Sequence, residues 1–519
     1  MQTTAMLDTV EVGIDEVRRL LSKVIASKSS GPDEIHPRLL KECSNELAQP
    51  VCMVFRKSLD EGYVPADWRI AHITPIFKKG DKNRAENYRP ISLTSVTCKV
   101  MEKIIRRHMM EHLISNDLLV KCQHGFVNKR SCMTQLIEVL DNWTEMIDEG
   151  CQVDTVYLDL SKAFDTVPHK RLLAKLESYG IGPRLLRWIR AFLEDRKQRV
   201  QVSGALSSWL PVTSGVPQGS VLGPILFVCF INDLPDGIQS LLYLYADDSK
   251  LIRKIRSAQD SHVLQNDLDT LMNWSSDSLM NFNVDKCGIM QMKSKNLTDG
   301  NYYMGDHKLK RISQEKDLGV LVDSDLKFSS HIAGAASRAN RVLGMIRRGF
   351  QYLDGDVLKL LFTSLVRPLL EYGNLIWHPR FKKDAEILEK VQRRATKLVA
   401  SMSRFEYEER LKMIGLPSLY YRRARGDAIE TYKYLHNYYD VDVQKILPLA
   451  LPGKTRGHSL KLTKRNCRTG VRQNSFGFRV VNLWNSLPED VVSAPSVNAF
   501  KSRFDKHYRD RMTMNSGYI

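Results

Sequence analysis

Two apolar segments that each run out into aspartate constrain this chain more than any other feature. Val153 to Leu160 reads as a buried strand, and its end, Tyr157-Leu158-Asp159-Leu160, carries an acid. Leu241 to Tyr245 and Ser249 to Ile252 read as two further strands around a tight Ala246-Asp247-Asp248 turn, the pattern of a hairpin. An acid where a buried strand emerges is costly unless something compensates its charge. If these strands are neighbours, three carboxylates converge, and their repulsion holds protons on them unless divalent cations neutralise the cluster. Hard oxygen ligands suit Mg²⁺. Two such ions can clamp the attacking and leaving oxygens of an in-line displacement. An Asp-Asp pair at a hairpin is also ordinary turn chemistry, since Asp tolerates such backbones. The residues alone leave both readings open.

Around these segments strands alternate with longer helices, which points to an α+β or α/β core. Apolar spacing predicts a helix over Ile14 to Ile25, broken by Ser27-Lys28-Ser29-Ser30-Gly31-Pro32. Ala71 to Phe77 is strand-like and runs into a basic turn, Lys78-Lys79-Gly80-Asp81. Helical patterns follow around Leu172 to Tyr179 and Leu185 to Leu193, and beyond about Gly305 the chain reads as mostly helical. Within Asp384 to Ala400, Ile387, Leu388, Val391, Leu398 and Val399 form a buried stripe, while Lys390, Arg394 and Lys397 line the other face. At 519 residues, two to four domains are expected.

Charge points to a polyanionic partner. The net charge is +18, and the segment from Arg338 to Arg425 carries 19 basic against 9 acidic side chains, which favours a dedicated binding face over general solubility. A membrane partner fits poorly. The longest apolar run, Val221 to Ile231, is too short to span a bilayer and contains Gly223 and Pro224. Met1 to Ala26 lacks the basic start and continuous apolar stretch of a signal peptide. The 9 cysteines stand singly with no CxxC, so a zinc site or disulfide framework is not expected, and a reducing, intracellular compartment (nucleus, cytoplasm or both) is.

The chain resembles the reverse transcriptases of LINE-type (non-LTR) retrotransposons, in particular the jockey-like group. Tyr157-Leu158-Asp159-Leu160-Ser161-Lys162-Ala163-Phe164-Asp165 looks like the first palm motif. Ser214-Gly215-Val216-Pro217-Gln218-Gly219-Ser220-Val221-Leu222-Gly223-Pro224 looks like the second, and Tyr245-Ala246-Asp247-Asp248 is similar to the polymerase box. Upstream, Ile73 to Asp81, Asn87 to Leu93 and Gln123-His124-Gly125-Phe126 look like fingers motifs. Downstream, Asn283-Val284-Asp285-Lys286 and Asp317-Leu318-Gly319-Val320 resemble later palm and primer-grip elements. The likeness continues through Val391 to Thr396 and Asn485 to Pro488. The ordered series, rather than any one box, carries it.

The resemblance implies a right-hand polymerase: lead-in helices over 1–66, fingers and palm with an antiparallel sheet over 67–304, primer grip and helical thumb over 305–430, and a C-terminal extension over 431–519. It implies an RNA-directed DNA polymerase working on an RNA template, a DNA primer, their RNA–DNA hybrid and deoxynucleoside triphosphates. Asp159, Asp247 and Asp248 would hold two Mg²⁺ ions, with Mn²⁺ as a substitute. Phe164 would crowd a ribose 2′-hydroxyl and so select deoxynucleotides; as a plain aromatic it would be core packing. Arg89 would grip the triphosphate, a job that suits a guanidinium fork, with Lys78 and Lys79 assisting or merely solvated. Gln218 would lie against the nucleotide, or else lead an ordinary turn into a buried helix. Lys286 would protonate the departing pyrophosphate, or sit as a surface lysine. Gly319 would touch nucleic acid at the primer grip, and Lys390, Arg394 and Lys397 would lie along duplex phosphates. Asp165 is read as bracing the loop after Phe164, and Asp233 as structural.

Two positions depart from the family pattern. Glu34 and Lys129 each stand where a glycine is usual, and a left-handed backbone there would be strained. Proteins of this group usually carry an endonuclease before the polymerase, and this sequence has no room for one, so nicking is expected from a missing N-terminal domain or another protein. The alternative to an active enzyme is a catalytically dead, nucleic-acid-binding relic.

Overall fold

The computed structural model describes residues 3–292, 300–451 and 457–514. Two five-stranded sheets organise the first 311 residues. The outer sheet begins with β1 (Ile70–Phe77) and β2 (Tyr88–Leu93), an antiparallel pair closed by the basic loop 78–87. The central sheet begins with β3 (Gln152–Asp159). The chain then returns to the outer sheet, where β4 (Arg196–Val202) lies parallel to β1, and β5 (Ala205–Leu206) and β6 (Leu210–Val212) fold back on β4. The hairpin strands β7 (Leu241–Tyr245) and β8 (Asp248–Ile255) join β3, followed by β9 (Gly288–Met292) on its other side. β10 (Tyr303–Met304) and β11 (His307–Lys308) form a small hairpin, β12 (Lys310–Arg311) edges the central sheet, and β13 (Gln314–Asp317) pairs with β14 (Val320–Asp323).

Period-two alternation splits the central sheet between two cores, as a strand buried on both faces requires. Val156, Leu158, Leu242, Leu244, Leu251 and Ile289 enter a core shared with the helices Val96–Ser115, Gly223–Phe230 and Ala258–Ser278. Val153, Tyr243, Ile252, Met290 and Met292 enter the other, shared with the helix Cys132–Asp148 and the helices from Ser329 onward. Gly223–Phe230 is apolar all round because it is buried on every side, which accounts for the apolar run at 221–231. Among the described residues no helix is long and apolar enough to cross a membrane. Helix Cys132–Asp148 is started by a reciprocal Ser131–Thr134 cap and is pinned to the sheet by Trp143, whose indole nitrogen donates to the Thr155 hydroxyl at 3.0 Å.

The expected elements at 14–25, 71–77, 153–160, 172–179, 185–193 and 241–252 all form, with ends displaced by a few residues. The helix expected over 384–400 runs Lys382–Thr396, with Leu388 and Val391 buried and Lys390 and Arg394 exposed; Lys397, just beyond it, is also exposed. Beyond Gly305 the chain is mostly helical as expected, but the helices begin only at Ser329, after four short strands. Strands of two to four residues rich in Lys, Arg and Gln give no apolar period to read. The helix Leu419–Leu435 runs straight through position 430, and side chains from both sides of that position share the second core.

Candidate active site

Register places the acids. In the antiparallel β3–β8 ladder Asp159 stands opposite Asp248, and in the β7–β8 hairpin Tyr245 stands opposite Asp248, leaving Ala246-Asp247 as a two-residue loop. The three carboxylates that the sequence separates by 88 and 89 positions therefore meet at one end of the central sheet. So short a loop needs left-handed backbone, and Ala246 adopts φ 54°. Its amide donates to Gln123 Oε1 at 3.1 Å, and the same oxygen accepts from Gly125 N at 2.7 Å. Gly125 lies flat on the turn; a side chain there would overlap the Ala246 nitrogen.

The charges are only partly compensated. Crowding by protein and the repulsion of Asp159 raise the Asp247 carboxyl above the ordinary range, against the pull of Arg89 and Lys78. Asp248 is raised to about 6 by burial of its charge, then by Asp247, Asp317 and Asp159, with Lys250 opposing. Both side chains still open onto solvent at the mouth of the cleft, so water screens them in part. Asp159 is paired with Lys286, Nζ to Oδ2 at 2.9 Å. Among the described residues no three acidic, histidine or cysteine side chains already stand at metal-coordinating spacing. The donor set nevertheless suits a hard divalent cation, being carboxylate oxygens, two of them on groups whose proton affinity is raised by burial and by their acidic neighbours.

The other expected residues divide into two sets. Arg89 on β2, opposite Ile76, and Lys78 at the end of β1 are exposed and close enough to bias Asp247 electrostatically. Phe164 is half-buried, stacked on Phe227 at 4.5 Å between ring centres and edge-on to Phe126 at 6.4 Å. Phe126 directly follows the glycine under the Ala246-Asp247 turn, so the Phe164 ring belongs to the same cleft. Gln218 donates to Asp165 Oδ1 at 3.0 Å, and its carbonyl accepts from Ser92 N at 2.7 Å, which ties the Ser214–Ser220 loop to both Asp165 and β2. The Asp165 side chain thus braces the Ser214–Ser220 loop, rather than the stretch directly after Phe164. Asp233 is held by Lys175 at 2.6 Å and Trp274 at 2.9 Å, a structural role. Gly319, at φ 90°, sits in the β13–β14 turn, capped by the Tyr372 hydroxyl, which donates to Leu318 O at 2.7 Å. Lys390, Arg394 and Lys397 form a separate set, remote from the acids in the interactions they make. Arg394 reaches Asn340 at 3.2 Å beside a groove of about 760 Å³ that Arg341, Arg348 and Ile387 also line.

Residues 76–321 match the family described as reverse transcriptase (RNA-dependent DNA polymerase). Just under half of the chain is therefore a reverse transcriptase domain. It is similar to the RNA-directed DNA polymerase from mobile element jockey of Drosophila melanogaster, 30% identical over 377 residues, covering 70% of this chain and 41% of the relative. A probable RNA-directed DNA polymerase from transposon BS of the same species is 26% identical over 409 residues, covering 75% of this chain and 44% of the relative. The putative 115 kDa protein of the type-1 retrotransposable element R1DM is 25% identical over 393 residues, covering 72% and 37%. The chain thus spans less than half the length of these relatives. The reverse transcriptase domain contains every cleft residue above, from Lys78 to Gly319, and excludes Lys390, Arg394 and Lys397.

Two roles, those of Lys250 and Gln123, escaped the sequence reading. Lys250 forms a buried ion pair with Asp317 on the face that carries Asp248, 4% and 5% exposed, linking the catalytic strand to the Gly319 turn. Its signal is its place two residues past Asp248, which period two puts on the same face of the strand. Gln123 had no signal of its own, because its role is set by a bridge to β7.

Proposed function

We propose that this chain is an RNA-directed DNA polymerase of a non-LTR retrotransposon, adding deoxynucleotides to a primer 3′ end on an RNA template. The observation that carries the reading is Asp159, Asp247 and Asp248 on registered, adjacent strands of a reverse transcriptase domain, facing Arg89 and Lys78. The central sheet with its flanking helices serves as the palm, the outer sheet as the fingers, and the helices after Ser329 as the thumb. The division 1–66, 67–304, 305–430 and 431–519 describes functional parts rather than separately packed units.

Asp159, Asp247 and Asp248 would hold two Mg²⁺ ions, which when bound supply positive charge beside the attacking and leaving oxygens. Lys286, which pairs with Asp159, carries the ammonium that would give a proton to the departing pyrophosphate. Arg89 and Lys78 bind the triphosphate oxygens and hold the α-phosphorus in line with the primer 3′-oxygen. That oxygen forms the new P–O bond, and the bond from the α-phosphorus to the bridging oxygen breaks. Phe164, fixed by stacking on Phe227, offers a rigid wall to the sugar and rejects a 2′-hydroxyl. Gln218, anchored by Asp165, holds the loop that packs on the new base pair. The Gly319 turn supports the primer end, and Lys390, Arg394 and Lys397 bind duplex phosphates without reading sequence.

The test is incorporation on a primed RNA template with Mg²⁺ or Mn²⁺, with Asp247→Ala plus Asp248→Ala as control. Activity in the parent and none in the control is expected; activity in both would overturn the site. A second reading, a binding-only relic, is favoured by Glu34 and Lys129, which adopt φ 56° and 60° where a side chain is strained. It predicts salt-sensitive duplex binding with no incorporation by the parent.

A further inference from the structure

We propose that Asp440 and the C-terminal part of the chain position the catalytic turn, acting through Arg130 and Gln123. This rests on the polymerase reading above and extends it to residues outside the reverse transcriptase domain. Asp440 Oδ2 accepts from Arg130 Nε at 3.1 Å and Nη2 at 2.9 Å, and the Asp440 amide donates to Lys129 O at 3.2 Å. The remaining edge of the same guanidinium, Nη1, donates to Lys121 O at 2.5 Å and Gln123 O at 2.9 Å. Arg130 therefore staples segment 121–123 from outside. That segment is zipped to β7: Leu244 N donates to Cys122 O at 2.9 Å, and His124 N to Leu244 O at 2.8 Å. At its centre, Gln123 Oε1 holds the Ala246 amide inside the catalytic turn. Gln123 is 1% exposed and its position is set by its backbone, so a shift at 121–123 is passed to Ala246 and its neighbour Asp247.

The C-terminal segment has independent anchors along the helix that follows Arg130. Lys445 donates to Asn142 at 2.6 Å, Arg472 pairs with Asp141 at 2.6 Å, and Asp148 accepts from Arg468 N at 2.8 Å and Thr469 N at 2.6 Å. These hold residue 440 in place relative to the helix, so Asp440 is a fixed post for Arg130 rather than a floating partner. Arg130 and Gln123 are positioning residues; none of the three touches the reacting atoms.

The experiment compares the full chain with Asp440→Ala, Arg130→Met and the double variant. Amide hydrogen exchange over 242–248 reads the turn without turnover, and steady-state kinetics read kcat and primer–template KM. Exchange there is expected to quicken about threefold in Asp440→Ala and about tenfold in Arg130→Met. The double variant should match Arg130→Met alone, because both changes cut one path. kcat should fall in the same order at constant KM. Unchanged exchange over 242–248 in Asp440→Ala overturns the proposal, as does a raised KM at constant kcat. Asp440 is 62% exposed at its side chain, so its replacement leaves packing intact if Arg130→Met fails to fold. A parent inert as a polymerase, with the exchange effects present, sinks the functional reading and leaves the link standing.

Discussion

The helical core and the cleft treat charge in opposite ways. Toward the helical core, ions are paired and sealed: Lys250 with Asp317, Arg472 with Asp141 at 4% and 3% exposure, and Arg479 with Asp427 at 10% and 8%. At the cleft, Asp247 and Asp248 stand exposed and repel each other, and the Lys286–Asp159 pair is 54% and 38% exposed. A buried unpaired charge would unfold the core, whereas an exposed unbalanced cluster costs less and leaves room for a cation or phosphate to complete it. The difference marks where the molecule is built for stability and where for binding.

The largest effect should come from breaking the sealed side. Arg472→Met leaves Asp141 buried without its cation and also removes bonds to Asp141 O and Thr144, so unfolding stability should fall by about 3–5 kcal/mol in a denaturant titration. The open side should respond in the other currency. Asp159→Ala should lower the polymerase rate by about 10²–10³ and leave the denaturation midpoint unchanged or raised, since it relieves repulsion. A midpoint that drops as far as that of Arg472→Met would erase the contrast.

Legibility follows the same division. Asp159, Asp247 and Asp248 could be found because each terminates a local apolar pattern, and the hairpin brings two of them together without long-range information. The face of Lys390, Arg394 and Lys397 could be found because a helix repeats every few residues. The sealed pairs could not: Lys250 and Asp317 lie 67 residues apart, and Arg472 and Asp141 lie 331 apart. Nothing in either local window names its partner. Phe164 was read two ways, as a wall beside the sugar or as core packing, and no local pattern could reveal its stacking on Phe227.

Two intermediate effects test the open side by solvent rather than by geometry. Replacing Lys390, Arg394 and Lys397 together by Gln should weaken RNA–DNA duplex binding and flatten the slope of log affinity against log salt by about three. A slope unchanged by all three would remove them from the binding face. The acids should also leave a pH signature. Asp247 and Asp248 have folded-state pKa values above those of the unfolded chain, so the folded state binds more protons. Without metal, stability should therefore fall as pH rises from about 4 toward about 6. Asp248→Asn should flatten that fall, and added Mg²⁺ should raise the midpoint at neutral pH by binding only the folded state. A parent curve already flat through this range would mean that the acids do not crowd one another.

The smallest effect concerns strain that belongs to neither side. Glu34 and Lys129 are exposed, yet both hold left-handed backbone at φ 56° and 60°. Such a conformation costs an L-residue about 1–2 kcal/mol, while glycine gives back part of that gain through the freedom of its unfolded chain. Glu34→Gly and Lys129→Gly should each stabilise the protein by about 1 kcal/mol, measured as a rise in denaturation midpoint. Because Lys129 contributes only its carbonyl to Asp440, Lys129→Gly keeps that bond and should leave polymerase turnover unchanged. A gain in turnover from either change would show that the strain reaches the cleft, and that the line between the sealed and open regions runs further out than the ion pairs mark it.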